Sequence, residues 1–237
     1  MKKLISGFLI LGILFACNEE KSDKNLHISG NVKGLKKGTL YLKRIQDSTM
    51  VTLDSIKING DSHFESELSI DSPEMLYLVL DRGTSTTMDT NLLFFAEPGN
   101  IVIETELDYF YANAKITGSK NQELYEAFKK INSRFNDQQL ELTESRFNSY
   151  KANDLAAVKA AEDKYNSVLK RKYLFAINFA ITNKAYEVAP YIALSEINNA
   201  TIKYLDTIQK SMTPKVAQSK YGLLLSQYIE DRKKLEN

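Results

Sequence analysis

One thiol and two imidazoles have the most direct claim to covalent or acid–base chemistry in this 237-residue chain. Cys17 is the only cysteine, so an intrachain disulfide, a Cys-x-x-Cys redox pair and a cysteine-rich metal site are all excluded. His27 and His63 fall in separate strand-like runs, with no i, i+4 partner and no cysteine to complete a ligand set. Asp61, His63 and Glu65 alternate with Ser62 and Phe64, which places the polar trio on one face of a strand. A metal patch and a plain solvated face compete for that alternation, and the solvated face is expected. Ser29 and Ser119 lack a nucleophile-elbow context and have no evident base. The glycines at 30, 34 and 38 are not followed by the Lys-Ser/Thr of a phosphate loop or by a helix, so a turn between strands is the reading. The polar segment Asp81–Asp89 is expected to be an exposed loop. Its candidate recognition residues are Asp81, Arg82, Thr84, Ser85, Thr86, Thr87 and Asp89, set against a simple solvated connection. No catalytic constellation, cofactor or metal site is expected.

Charge argues in the same direction. The chain carries 31 Lys and Arg against 30 Asp and Glu, a balance that gives no support to nucleic-acid binding, which needs a concentrated basic face. The cluster Lys170-Arg171-Lys172 follows Glu162 and Asp163 and reads as a solvated helix face. Thirteen tyrosines with no tryptophan are unusual, and they concentrate from Tyr125 onward. Tyrosine serves protein-binding surfaces well because it buries area at modest entropic cost. It also fills helix seams with its hydroxyl at the edge, and that is expected for most of these residues.

The N-terminus supplies a different kind of signal. Lys2 and Lys3 precede an apolar run from Leu4 to Ala16, broken only by Ser6, Gly7 and Gly12, and the polar sequence NEEKSDKN follows Cys17. Thirteen helical residues span about 20 Å, short of a hydrocarbon core of about 30 Å. The segment therefore reads as an export signal. Leu14-Phe15-Ala16-Cys17 resembles the lipobox of a bacterial lipoprotein signal peptide, with Leu14 and Ala16 fitting well and Phe15 bulkier than usual. The resemblance implies cleavage after Ala16 and lipidation of Cys17, palmitate included. Several acyl chains exceed what stable membrane anchoring needs. Glu19-Glu20 also resembles the signals that send some lipoproteins to the cell surface.

Past a polar tether, 17–25, the chain changes character near residue 118. Eight of its ten glycines lie at or before Gly99, and 119–221 contains none. This composition predicts a β-rich unit over 26–118 and a helical unit over 119–237, an α+β chain. The expected strands are Leu26–Val32, Thr39–Ile45, Val51–Ile58, His63–Ile70, Met75–Leu80, Leu92–Ala96, Ile101–Leu107 and Ala114–Thr117. They suit an antiparallel β-sandwich of about eight strands, with Asn59-Gly60 as its hairpin turn. No interval holds a crossover helix, which argues against parallel βαβ units. Beyond Gly118, Ser119 caps a helix with Gln122 at its third position. Leu124, Phe128, Ile131 and Phe135 form an apolar stripe, which Gln138 and Leu142 prolong. A second long helix starts after Asn153-Asp154, completing a hairpin. Shorter helices follow over 187–198, 201–211 and about 216–233, with Pro190 inside the first turn of one and Pro214 near the start of another.

One ordered series of short motifs resembles a known family. The series comprises His27-Ile-Ser-Gly30-Asn-Val32 with Gly34, Gly38-Thr-Leu-Tyr-Leu42, Asp54-Ser55, and Gly60 with Phe64. It continues with Phe94-Phe-Ala-Glu-Pro-Gly-Asn100-Ile, Ile116-Thr-Gly-Ser119 and Asn121-Gln-Glu-Leu-Tyr125. It is similar to the domain of unknown function at the N-terminus of thioredoxin-like thiol–disulfide interchange lipoproteins of Gram-negative envelopes. Thr213-Pro-Lys-Val through Tyr221-Gly-Leu-Leu is similar to the last helical segment of their linker. The resemblance implies location in the cell envelope, lipid-anchored to the outer membrane on its periplasmic or surface side. It carries over no catalytic residue, and the sequence given holds no thiol pair. The expected role is non-catalytic: a protein- or ligand-binding accessory module whose partners are membrane lipid through Cys17 and an envelope protein. The alternatives are an accessory to a separate thioredoxin-like oxidoreductase, or a structural remnant of such a protein.

Overall fold

The computed structural model describes residues 24–83 and 88–236. Leu26, Ile28 and Val32 alternate inward along the first strand, β1 (Leu26–Lys33), and Phe64, Ser66 and Leu68 do the same along β4 (His63–Leu68). That two-residue period selects one buried face per strand. The other strands are β2 (Lys37–Gln46), β3 (Thr49–Asn59), β5 (Glu74–Asp81), β6 (Asn91–Ala96), β7 (Gly99–Glu106) and β8 (Lys115–Thr117). They form two four-stranded sheets, ordered β4-β1-β7-β8 and β3-β2-β5-β6, over a core that includes Ile28, Leu40, Leu42, Leu78, Phe94 and Ile103.

The expected strands are all present, but two points of their pairing differ. The first sheet is mixed, because β1 and β7 run parallel from Leu26↔Gly99 to Lys33↔Glu106. Absence of a crossover helix excludes a βαβ unit, yet the chain makes this parallel pair by returning through the opposite sheet. The second point is the turn at Asn59-Gly60. Gly60 does adopt a positive φ of 100°, but β3 and β4 lie in different sheets. The turn drops the chain across the gap of about 10 Å between layers instead of making a hairpin. A tight hairpin forms at Asp47-Ser48, with φ of 47° and 67° and Gln46 opposite Thr49. That geometry is the two-residue turn that Asn-Gly usually marks, built here from two non-glycine residues.

β5 and β6 read as continuous apolar runs because both their faces are covered. Leu76 and Phe94 point into the sandwich, while their neighbours Met75 and Phe95 point into a second core made with the helices. That third layer contains α1 (Lys120–Lys151), α2 (Leu155–Thr182), α3 (Val188–Glu196), α4 (Ile202–Ser211), α5 (Pro214–Ala217) and α6 (Lys220–Glu236). Ser119 caps α1 by accepting from Gln122 N at 3.0 Å, and Asp154 caps α2 by accepting from Ala157 N at 2.9 Å. Asn153 closes the long hairpin with a φ of 55°, the left-handed conformation asparagine tolerates at a helix end.

Gln122 does not complete a capping box. Its buried side chain accepts from Phe95 N at 2.7 Å, and Tyr221 Oη accepts from Met75 N at 2.9 Å. Two helices thereby satisfy the backbone N–H groups of the paired residues Met75 and Phe95. Glu74, buried beneath α6, is paired with both Arg44 (3.2 Å) and Lys220 and ties two strands to that helix. The α1 stripe also stops earlier than its spacing implies. Phe128 stacks on Phe175 at 5.4 Å, but Gln138 is exposed and Leu142 only half-buried. Pairwise packing of α1 on α2 covers one side of each helix, α3 contacts both and α4 contacts α2, and the hairpin residues that join the helical core lie between Leu124 and Phe128 and between Tyr173 and Ile181.

Candidate functional site

The residues with the strongest chemical claim are not brought together. Leu14, Ala16 and Cys17, with Thr84, Ser85, Thr86 and Thr87 of the expected recognition loop, lie outside the described residues. At the ends of that loop, Asp81 Oδ1 accepts from Gly83 N at 2.7 Å, and Arg82 and Asp89 are exposed. His27 faces Glu67 in the β1–β4 register, whereas His63 faces Asn31 at the far end of the same pair. His63 Nδ1 lies 2.8 Å from Asp61 Oδ1 on the exposed surface. Hydrogen bonds from the His63 backbone and ring hold the Asp61 carboxyl below its ordinary range. Among the described residues no three His, Cys, Asp or Glu side chains converge on a metal-sized site. Ser119 is buried and used as the α1 cap. Gly30 and Gly38 lie inside β1 and β2, so only Gly34 of the glycine-rich segment makes the turn.

The tyrosines divide. Tyr125 and Tyr221 are buried, and Tyr191 joins them in edge-on contacts with each other and with Phe95, ring centroids 5.0–6.0 Å apart. Burial pushes the Tyr191 and Tyr221 hydroxyls well above the usual phenol range, so both remain protonated. They are seam residues of the helical core. Tyr165, Tyr173, Tyr186 and Tyr228 are half-buried, while Tyr150 and Tyr204 are exposed.

Two features of the surface are candidates for binding. The first is a cleft of about 400 Å³ where the sandwich meets the helices, lined by Glu97, Asn121, Glu187 and Lys215 among others. Glu97, just after β6, receives the first N–H groups of α1: Oε1 accepts from Lys120 N at 2.7 Å and Oε2 from Asn121 N at 3.2 Å. The Asn121 amide then bridges two carboxylates, donating to Glu97 at 2.7 Å and to Glu187 at 3.1 Å, while its oxygen accepts from Val188 N at 2.8 Å. Both acids thus sit at helix N-termini, where the peptide dipoles favour negative charge.

The second is the distal end of the α1–α2 hairpin. Beyond the Lys172–Asn136 hydrogen bond the pair extends by about 20 Å at 1.5 Å per residue. There Leu140, Phe147, Tyr150 and Leu155 are 69%, 56%, 69% and 73% exposed. A groove of about 460 Å³ runs among Leu140, Phe147, Tyr150 and Val158, with Glu144 and Arg146 on its margin. Lys151 Nζ lies 4.3 Å above the Phe147 ring.

Sequence reasoning missed both. Glu97, Asn121 and Glu187 come from three distant segments, and only the polar Asn121-Gln122 pair opening an apolar stripe hinted at a buried network. The tip residues have core-like periodicity, and periodicity does not say whether a partner is present.

Residues 26–125, from β1 into the first turns of α1, match a family described as a domain of unknown function, DUF4369. Glu97 and Asn121 fall inside the matched segment and Glu187 outside it. No curated protein and no solved structure matches the chain.

Proposed function

We propose that the chain is a lipid-anchored envelope protein that works without catalysis, holding another envelope protein through the tip of its helical hairpin. The observation that carries this reading is that Leu140, Phe147 and Tyr150 are exposed and line one groove, with Leu155 also exposed at the start of α2. Apolar clusters of this kind, rimmed by charge, mark interaction sites. Their geometry favours a helical partner. α3 covers the hairpin near Asn132 and Lys172, both in contact with Glu196, and a partner helix with an apolar stripe would do the same for the distal half. The lipobox-like Leu14-Phe15-Ala16-Cys17 supports an anchor at Cys17, and the motif series over 26–125 supports kinship with the thioredoxin-associated lipoproteins. Among the described residues no helix is long and apolar enough to cross a membrane.

Two expected outcomes test the reading. In cross-linking and capture from detergent-solubilised envelopes, wild type retains a specific protein partner, and the double variant Phe147→Ser/Tyr150→Ser loses it. Both side chains are exposed, so the variant's stability stays within about 0.5 kcal/mol per site of wild type. A partner held equally by the variant, or no partner at all, would overturn the tip assignment. Cys17→Ala moves the protein from the membrane fraction to the soluble fraction, unacylated. Continued firm membrane association with unchanged acylation would end the anchor assignment.

A further inference from the structure

We infer that the end of the sandwich where the chain enters it docks on the lipid surface, through Ile45, Met50, Leu223 and Leu224. The inference rests on the anchor proposed at Cys17 and not on the partner proposed at the hairpin tip. Strand register gathers these residues at the entry end. β1 begins with Leu26 opposite Leu68, the last residue of β4. Asn25, just before it, is tied to the segment that follows β4: its Nδ2 donates to Ile70 O at 2.8 Å and its Oδ1 accepts from Ile70 N at 3.0 Å. Asp71 and Ser72 come next, and β5 starts from there at Glu74. β2 runs antiparallel to β5, from Thr39↔Asp81 to Lys43↔Tyr77, so the β2–β3 turn at Asp47-Ser48 lies toward the Glu74 end. Ser72 Oγ accepts from Lys220 N at 3.2 Å, which brings the first turn of α6 to the same end.

Ile45, Leu223 and Leu224 line one cleft of about 750 Å³ together with Asp71 and Ser72, and Met50 is the cross-strand partner of Ile45. These four large apolar side chains are between 47% and 53% exposed. The tether says what covers them. Eight peptide steps separate Cys17 from Asn25, a reach of at most about 29 Å whatever their conformation. A lipid anchor at Cys17 therefore keeps the membrane close to this end at an effective concentration that a freely diffusing protein does not match. Burial of apolar area drives the contact, not attraction to anionic headgroups. Arg44 and Lys220 are both paired with Glu74, while Asp47 and Asp71 also line the cleft.

The chain has no tryptophan, so a single introduced indole reports its own surroundings. Full-length lipidated chains carrying Leu224→Trp or Tyr109→Trp are reconstituted in phosphatidylcholine vesicles, with and without brominated acyl chains. Tyr109 is the control: it is exposed and lies shortly after Glu106, which pairs with Lys33 at the opposite end of β1, about 23 Å along the strand from Leu26. Brominated lipid is expected to quench Leu224→Trp fluorescence by about twofold or more and to leave Tyr109→Trp unchanged. Met50→Trp, on the β2–β3 hairpin, gives the same reading if Leu224→Trp fails to fold. No quenching at either of these positions, or equal quenching at Tyr109→Trp, would overturn the docking. The anchor would survive that result if mass spectrometry finds Cys17 acylated, whereas an unacylated chain would overturn the anchor and the docking together.

Discussion

Gly30→Ala is expected to unfold the sandwich, with a loss of about 4 kcal/mol or more in urea denaturation. Gly30 occupies an inward position of β1, opposite Phe64 on one side and Ile103 on the other. A Cβ there would stand 1.9 Å from the Ile103 carbonyl oxygen, 2.8 Å from its carbon and 2.9 Å from the Phe64 ring. The ring can rotate, but the carbonyl belongs to the parallel β1–β7 pair and cannot retreat without breaking the ladder at the centre of its sheet. A domain of this kind is stable by only about 5–15 kcal/mol, so the loss is a large fraction of the whole. The informative control is Gly60→Ala. Its φ of 100° is strained for alanine, yet nothing lies within 4 Å of the added methyl. It should cost about 1–2 kcal/mol, the price of the left-handed backbone alone. If the two variants unfold at the same urea concentration, close approach to β7 is not what position 30 requires.

Phe95→Ala is expected to cost about 3–5 kcal/mol and to act on the joint between sheet and helices. Phe95 is fully buried in the helical core, with Tyr191 and Tyr221 edge-on at 5.6 and 6.0 Å. Such contacts add about 0.5–1.5 kcal/mol to the burial itself. Its neighbour Phe94 is equally buried but faces the sandwich. Hydrogen exchange should separate the two cases. With Phe95→Ala, amides of α3 and α6 lose protection before those of β1 and β7, because the cavity opens next to Tyr191 and Tyr221. Phe95→Leu, which keeps most of the volume, should recover the larger part of the loss. A uniform loss of protection across both cores, or a cost under about 1 kcal/mol, would mean that this ring does not hold the layers together.

Much of this architecture was legible from residue order alone. Alternation located the strands, because a half-buried strand must repeat every two residues. Ser119 and Asp154 announced both long helices, because a free N-terminal N–H attracts a short polar side chain whatever lies beyond. Gln122 shows where such local logic ends. Its position suited a capping box, but its side chain accepts instead from Phe95 N–H in the sheet beneath, a buried donor that is costly to leave unpaired. The Asn59-Gly60 turn failed in the same way. Its dihedral preference was right, and the strands it joins were assigned to different sheets by side chains elsewhere in the chain.

The lone cysteine, the missing thiol pair, the near-neutral charge and the β-then-α order are properties of composition and of short-range period, and the sequence alone determined them. Only the tertiary structure decided the parallel β1–β7 pair, the use of the outer face of β5 and β6 as the floor of the helical core, and the meeting of Glu97, Asn121 and Glu187. It also decided which apolar residues remain uncovered, leaving Phe147 and Tyr150 exposed where Phe128 is buried. The reason is common to all four. Local sequence fixes which face of an element is apolar, while the identity of what covers that face depends on contacts between residues far apart in the chain.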